Sequence, residues 1–242
     1  MPPIRKGDGT PVTPKGISQI RTGDGRILFD GDAIPDSVVD NFETQPDGPY
    51  ETDTDGLEEF WNGPLNNYSR AENGAVDGSF AVSLDNDADD GIYSLSGLPR
   101  YPEKGDTFST LIRDNGDTDV GFAWGLLEDN GNIVGYCTEF REDDNAVRLG
   151  RVTDWENSDY TQLTSFSASI SSGTWYEFEV DWKNDDTHEV TVYELDNGDR
   201  GSSIGSDSFN DDTYTEGVGV GIGIHTGSGT FGTFIDQIQV IE

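Results

Sequence analysis

GTWYEFEVDW (residues 173–182), then KNDD (183–186), then THEVTVYELDNG (187–198) is the stretch that decides the fold. In an extended chain successive side chains point to opposite faces. Phe178, Val180 and Trp182 therefore share one side, and Glu177, Glu179 and Asp181 the other. That is the period of a half-buried β-strand. The DNG at 196–198 supplies a hairpin turn, because Asn and Gly tolerate positive φ, and a second DNG stands at 129–131.

Working outward, the same rhythm predicts strands at 38–43 (VVDNFE), 79–84 (SFAVSL), 107–113 (TFSTLIR), 119–127 (DVGFAWGLL), 132–141 (NIVGYCTEFR) and 146–152 (AVRLGRV). It continues at 161–168, 174–182, 187–195, 217–225 and 231–241. No segment carries an apolar 3.6-residue period. The expectation is an all-β, two-sheet antiparallel jelly-roll sandwich over residues 37–242. Residues 1–36 read differently. They hold five of the ten prolines, a GDGT/GDGR echo at 7–10 and 23–26, and two β-compatible patches, ISQIR and RILF. They are expected to form an extended N-terminal arm.

Charge narrows the function. Against 14 Lys and Arg stand 48 Asp and Glu, a net of −34 over 242 residues. Such a chain repels phosphate backbones, which excludes sequence-independent nucleic-acid binding. Five Trp, nine Tyr and twelve Phe provide bulky core, so the charge does not mean disorder. A surface of this kind repels itself in dilute buffer. At molar salt the Debye length falls to about 3 Å. The simplest reading is adaptation to a hypersaline medium. Residues 1–26 run the other way: Arg5, Lys6, Lys15, Arg21 and Arg26 against Asp8 and Asp24 leave +3, so the remainder carries −37. A basic arm on an acidic body suggests an interaction tail. No run of about 20 apolar residues is present, so no membrane insertion is expected. The opening MPPIRKGDGTPV lacks the apolar core of a signal peptide. The single cysteine, Cys137, excludes an internal disulfide.

The order DNFE (40–43), VDGSFAVSL (76–84), GDTFSTLIR (105–113), VGFAWGL (120–126), GTWYEFEVDW, VTVYELDNG (190–198) and FGTFIDQIQVI (231–241) resembles concanavalin A-like jelly-roll domains, including laminin-G-like modules of glycan-binding proteins. PVTPKGISQIRTGDGRILFDG (11–31) resembles the openings of structural proteins of haloarchaeal tailed viruses and proviruses, in which such an arm precedes a jelly-roll module. The resemblance implies a virion protein, a tail fibre, spike or capsid turret, assembled in the host cytoplasm and not an enzyme. It would bind a host surface glycan. Its arm would join other virion proteins through Ile27 and Phe29, and a homo-oligomer, trimer or pentamer, is expected. The alternatives are a glycoside hydrolase acting on host glycans and a ligand-free capsid decoration.

Loop aromatics stack on sugar faces, so Trp155 and Tyr160 in TDWENSDY, then Trp61 and Tyr68, are the candidate ligand contacts. In the closing strand, strict alternation puts Phe234, Asp236, Ile238 and Val240 on one face. A carboxylate there needs a partner, and with Asp40 and Glu43 of the opening strand it makes a candidate structural Ca²⁺ site. DNDADDG (85–91) fails the calcium-loop pattern: Asp90 stands where Gly is needed and Ser96 where Glu is needed. Glycosidases of the resembled fold alternate catalytic acids on one strand, and retaining enzymes hold two carboxyls about 5–5.5 Å apart. Their Glu-x-Asp-x-Glu is Glu-x-Glu-x-Asp here (177–181), a pattern better suited to a water-facing strand. In GVGVGIGI (217–224) the glycines are expected to form a bare face, with Val218, Val220, Ile222 and Ile224 toward the core. A bare strip admits close approach by a ligand, another chain or the protein's own packing.

Overall fold

The computed structural model describes residues 19–21, 27–30, 37–43, 50, 56–72, 75–76, 80–84, 90–113, 118–141, 144–157, 159–226 and 234–241. The strands are β1 (Gln19–Arg21), β2 (Ile27–Asp30), β3 (Val38–Asp40), β4 (Tyr68–Glu72), β5 (Phe80–Leu84), β6 (Asp90–Ser94), β7 (Thr107–Arg113) and β8 (Thr118–Asp129). They continue as β9 (Asn132–Arg141), β10 (Ala146–Asp154), β11 (Asp159–Ser167), β12 (Trp175–Trp182), β13 (Thr187–Asp196), β14 (Asp199–Asn210), β15 (Gly219–Thr226) and β16 (Phe234–Val240). Short 3-10 turns occupy Leu57–Glu59 and Leu65–Asn67.

One sheet has six strands in the order β11-β10-β9-β8-β15-β6. The other has eight: β14-β13-β12-β7-β16-β5-β4, with β3 added against β16. All pairings within them are antiparallel. The two patches of the arm, β1 and β2, form a separate antiparallel ribbon, with Ile20 opposite Phe29 and Arg21 opposite Ile27. The side chains of Ile27 and Phe29 fall outside the described residues.

The sheets close on one core. The inward residues of β12 (Tyr176, Phe178, Val180 and Trp182) meet those of β8 and β9 (Phe122, Trp124, Tyr136 and Phe140), all at most 1% exposed. The alternation read from GTWYEFEVDW is what the strand uses. Both DNG segments turn as expected, Asn130 and Asn197 at φ 53 and the following glycines at φ 88 and 89.

His188 lies in this core although it titrates. Its imidazole stacks on Phe209 at 4.7 Å and Trp182 at 5.4 Å. Trp124 Nε1 donates to its Nδ1 at 3.1 Å. Nδ1 must therefore be unprotonated, and Nε2 faces the Asp211 carbonyl at 3.3 Å. Burial holds its pKa down to about 4.

Three strands escaped the periodicity. β4 and β6 are short, and β14 (DRGSSIGSDSFN) is an edge strand of Gly, Ser and Asp, mostly exposed. An edge built this way resists pairing with other chains. Two faces also differ from strict alternation. In β16 a bulge at Gln237, φ 43, shifts the register between Asp236 and Ile238. Ile235, Ile238 and Val240 consequently enter the core, and Phe234 and Asp236 lie on the sheet's other face, where Asp236 is still fully buried. In β15, Val220 and Ile222 reach the core, but Val218 precedes the strand and is exposed.

Candidate functional site

The outer face of the six-stranded sheet carries the site. A single cross-strand rung runs Gly91 (β6), Gly223 (β15), Gly121 (β8), Glu139 (β9), Arg148 (β10), Ser165 (β11). The adjacent rung runs Tyr93, Gly221, Ala123, Cys137, Gly150, Gln162. Half the positions on the two rungs thus lack a side chain beyond Cβ, leaving a trough toward β6. The bare face expected of β15 continues onto β8 and β6.

Trp155, just past β10, fills most of that trough. Its backbone N–H donates to the Ile133 carbonyl at 2.8 Å, and its Nε1 to the Ile92 carbonyl at 2.9 Å. A Cβ added at Gly91 would stand 2.5 Å from Nε1, and one at Gly221 would stand 2.6 Å from it. The glycines are therefore required by the indole, and their first function is packing within the chain. Trp155 is 6% exposed and joins a second apolar cluster with Ala123, Leu126, Ile133, Cys137 and Val152.

Tyr160, half-buried on β11, lies against Gly150, where a Cβ would meet its ring at 2.6 Å. Between the indole and this phenol a small pocket remains, lined by Gly121, Gly223, Cys137, Thr138, Glu139, Trp155 and Tyr160. The structure thus brings together the two aromatics of TDWENSDY. The Tyr160 hydroxyl donates to Glu139 Oε2. Arg148 NH1 stands 3.6 Å and Arg141 NH1 3.8 Å from the same oxygen. Asp144 ties both guanidiniums, at 2.6 Å to Arg148 and 3.6 Å to Arg141. Burial, with Glu139 nearby, pushes both the Tyr160 hydroxyl and the Cys137 thiol well above their ordinary values, so both stay protonated.

The other sequence candidates lie elsewhere. Trp61 is 1% and Tyr68 5% exposed, both in the main core. Neither offers a face to a sugar, because the segment 56–72 folds inward over the sandwich. Trp61 Nε1 instead donates to Asp40 Oδ2 at 2.9 Å. Asp40 also accepts from Tyr50 Oη at 2.7 Å and from the Phe42 N–H at 2.8 Å. Burial still raises its pKa to about 6. Glu43 accepts from the Phe80 N–H and Asp236 from the Val76 N–H, both at 2.7 Å. Each carboxylate of the expected calcium site therefore serves the chain's own donors. Among the described residues no three His, Cys, Asp or Glu side chains form a group able to hold a metal.

On the opposite sheet, Arg200 clamps the acid pair of β12. It donates from Nε and NH2 to Glu177, both at 2.6 Å, and its NH1 stands 2.6 Å from Glu179. Sequence reasoning missed Glu139, Arg141, Arg148 and the glycines of β6 and β8. Their signal is cross-strand register, which one strand's pattern does not contain.

An all-β sandwich with an aromatic-walled pocket on one sheet is thus the class that fold and site define. No protein-family profile matches the chain, and no curated protein sequence matches it. Among solved structures it is similar to the carbohydrate binding module CBM66 from Bacillus subtilis (14% identity, 74% of this chain and 92% of that one, TM-score 0.43). It is also similar to a protein of unknown function with a galectin-like fold from Bacillus subtilis (10%, 74% and 88%, TM-score 0.46). A third is a beta-porphyranase from the human gut bacterium Bacteroides plebeius (13%, 85% and 89%, TM-score 0.39). The site described above stands on this chain's own residues.

Proposed function

We propose that the chain is a glycan-binding jelly-roll module of a virion structural protein from a haloarchaeal tailed virus, a fibre, spike or turret. The observation that carries the glycan reading is the pocket between Trp155 and Tyr160, with Gly121 and Gly223 in its lining and one anchored carboxylate. A pyranose has an apolar face of C–H groups and a rim of hydroxyls. Ligand sites of this kind are mostly apolar with a few placed polar groups. Binding is preferred over hydrolysis because, among the described residues, the pocket offers one carboxylate, Glu139, while Arg200 occupies the Glu177–Glu179 pair. A retaining or inverting glycosidase needs two carboxyls in reach of one bond.

The virion reading rests on the basic, proline-rich arm, its resemblance to haloarchaeal virus openings, and the charge of −34. Salt at molar strength screens the arm's charge, so attachment falls to apolar residues such as Ile27 and Phe29. The module works as a homo-oligomer, trimer or pentamer. Full-length protein in molar KCl, tested on host surface glycans, is expected to bind, and Tyr160→Ala to abolish it; failure to bind any of them refutes the glycan reading. Deleting residues 1–30 should leave a folded sandwich missing from purified particles, and normal incorporation refutes the attachment role.

A further inference from the structure

The outer face of the eight-stranded sheet holds an arginine that the chain's own acids leave alone. Arg113, at the end of β7, stands on one cross-strand rung between Trp175 of β12 and Phe234 of β16, and the rung runs on to Ser83 of β5 and Ser69 of β4. The sequence neighbours Tyr176, Ile112 and Ile235 enter the core, so these three side chains point away from it. All three are half-buried. The guanidinium carbon lies 4.5 Å from the centre of the Phe234 ring and 5.4 Å from that of Trp175. Ring faces attract a cation, and a guanidinium held by them keeps its in-plane N–H groups free to donate.

Those N–H groups lack an acceptor. Arg100, Arg141, Arg148, Arg151 and Arg200 each meet a carboxylate, and Arg70 donates to the Phe42 carbonyl. Among the described residues Arg113 has no ion pair and no hydrogen bond, in a chain with 48 acids. Its Nε is sealed without a partner; the two terminal nitrogens are also unbonded but are not sealed. The acids of the adjacent rung, Glu177 and Asp236, flank Leu111 and answer other donors, Arg200 and the Val76 N–H. Burial, with nothing to offset it, lowers the arginine's pKa. A partly desolvated cation without a counter-charge is costly to the chain alone and gains from an anion brought to it.

The rung's chemistry selects the anion. Two terminal N–H groups side by side match two oxygens of a carboxylate or sulfate. Two aromatic rings beside them, and the Ser69 and Ser83 hydroxyls further along, suit a compact polar ring carrying that group. We propose that the Trp175–Arg113–Phe234 rung is a second binding site, which takes the carboxylate or sulfate of an acidic sugar. It lies on the other sheet from the Trp155–Tyr160 pocket and stands whether or not that pocket holds a glycan.

The test is titration calorimetry on the full chain in molar KCl, which screens long-range charge so that preference reports contact. The probes are methyl glucuronide, methyl glucoside 6-sulfate and neutral methyl glucoside. At least one acidic probe should bind tenfold or more tightly than the neutral one, and the tighter of the two names the oxyanion. No such preference, or no acidic probe binding, overturns the proposal. Arg113→Gln should bring the acidic probe down to the neutral level, a loss of roughly ten- to hundred-fold, the range of hydrogen bonds to a charged group. A lower melting temperature with the preference intact would make Arg113 purely structural and refute the site. Should that variant not fold, Arg113→Lys keeps the charge and loses the fork; its affinity should fall several-fold, and an unchanged value refutes the proposal equally. Tyr160→Ala should leave acidic binding as it was, and loss there overturns the assignment to a separate site.

Discussion

Gly91→Ala tests whether the bare rung exists for the indole. All three atoms nearest the added methyl belong to the Trp155 ring, at 2.5, 2.6 and 2.9 Å, so the ring must move or the strand must bend. Forcing one methyl into a packed site costs about 1–3 kcal/mol. Complete expulsion sets the ceiling. Trp buries about 200 Å², which at about 25 cal/mol per Å² is ~5 kcal/mol, and the bond to the Ile92 carbonyl adds about 1 kcal/mol. The observed cost should sit between these limits, near 2–3 kcal/mol. The same substitution in a Trp155→Ala background meets no ring. There it should be neutral or stabilising by about 0.5–1 kcal/mol, since Gly in a strand is entropically costly. The four proteins form a double-mutant cycle, measured by urea unfolding at constant molar KCl so that charge screening is held fixed. A coupling of about 2–4 kcal/mol is expected. Equal cost in both backgrounds would show that the glycine serves the backbone and would refute the account of the trough.

Diluting the salt from molar to about 0.1 M lengthens the Debye length to about 10 Å, and the melting temperature should drop; a constant value contradicts the hypersaline reading. His188, with its pKa depressed to about 4, contributes stability that is present above about 6.5 and lost as pH falls through 4. The full difference is about 3 kcal/mol at 1.36 kcal/mol per unit. Asp40, raised to about 6, acts oppositely in the same range: its contribution is present below about 3.8 and lost as pH rises through 6. The His188 effect must therefore be read as wild type minus His188→Gln across pH 7 to 4, and a flat difference curve excludes a neutral buried imidazole. Arg200→Gln, which leaves Glu177 and Glu179 facing each other, should cost about 1–2 kcal/mol in thermal or urea unfolding, less than a fully buried pair because the guanidinium is partly exposed; no change would mean the clamp is ornamental to stability.

Legibility in the sequence followed physical range. β7 and β9 match their expected bounds because their inward residues are large and regularly spaced. β14 was silent because an edge strand of Ser, Gly and Asp carries no apolar signal. The face of Asp236 was misassigned because a one-residue bulge leaves no mark in composition. The two aromatics of TDWENSDY come together on one face, yet Trp155 is more a wall than an exposed platform. Glu139 sits in a strand that reads as ordinary, NIVGYCTEFR, and becomes conspicuous only when register sets it beside Gly121 and Arg148. Trp61 misled because a loop-like neighbourhood says nothing about which way an indole turns.

The pairing of β3 with β16, and of β7 and β8 with β16 and β15, bears on how the chain matures. On the ribosome, residues 38–40, 107–113 and 118–129 emerge well before their partners at 219–226 and 234–240, which lie far along the chain from them. Each sheet must therefore wait, with a gap in its middle, until β15 and β16 have been made. Non-local pairing of this kind folds slowly and leaves strand edges open meanwhile. The dense negative charge then has a second use: it keeps nascent copies apart during the interval when their unsatisfied edges are most able to join.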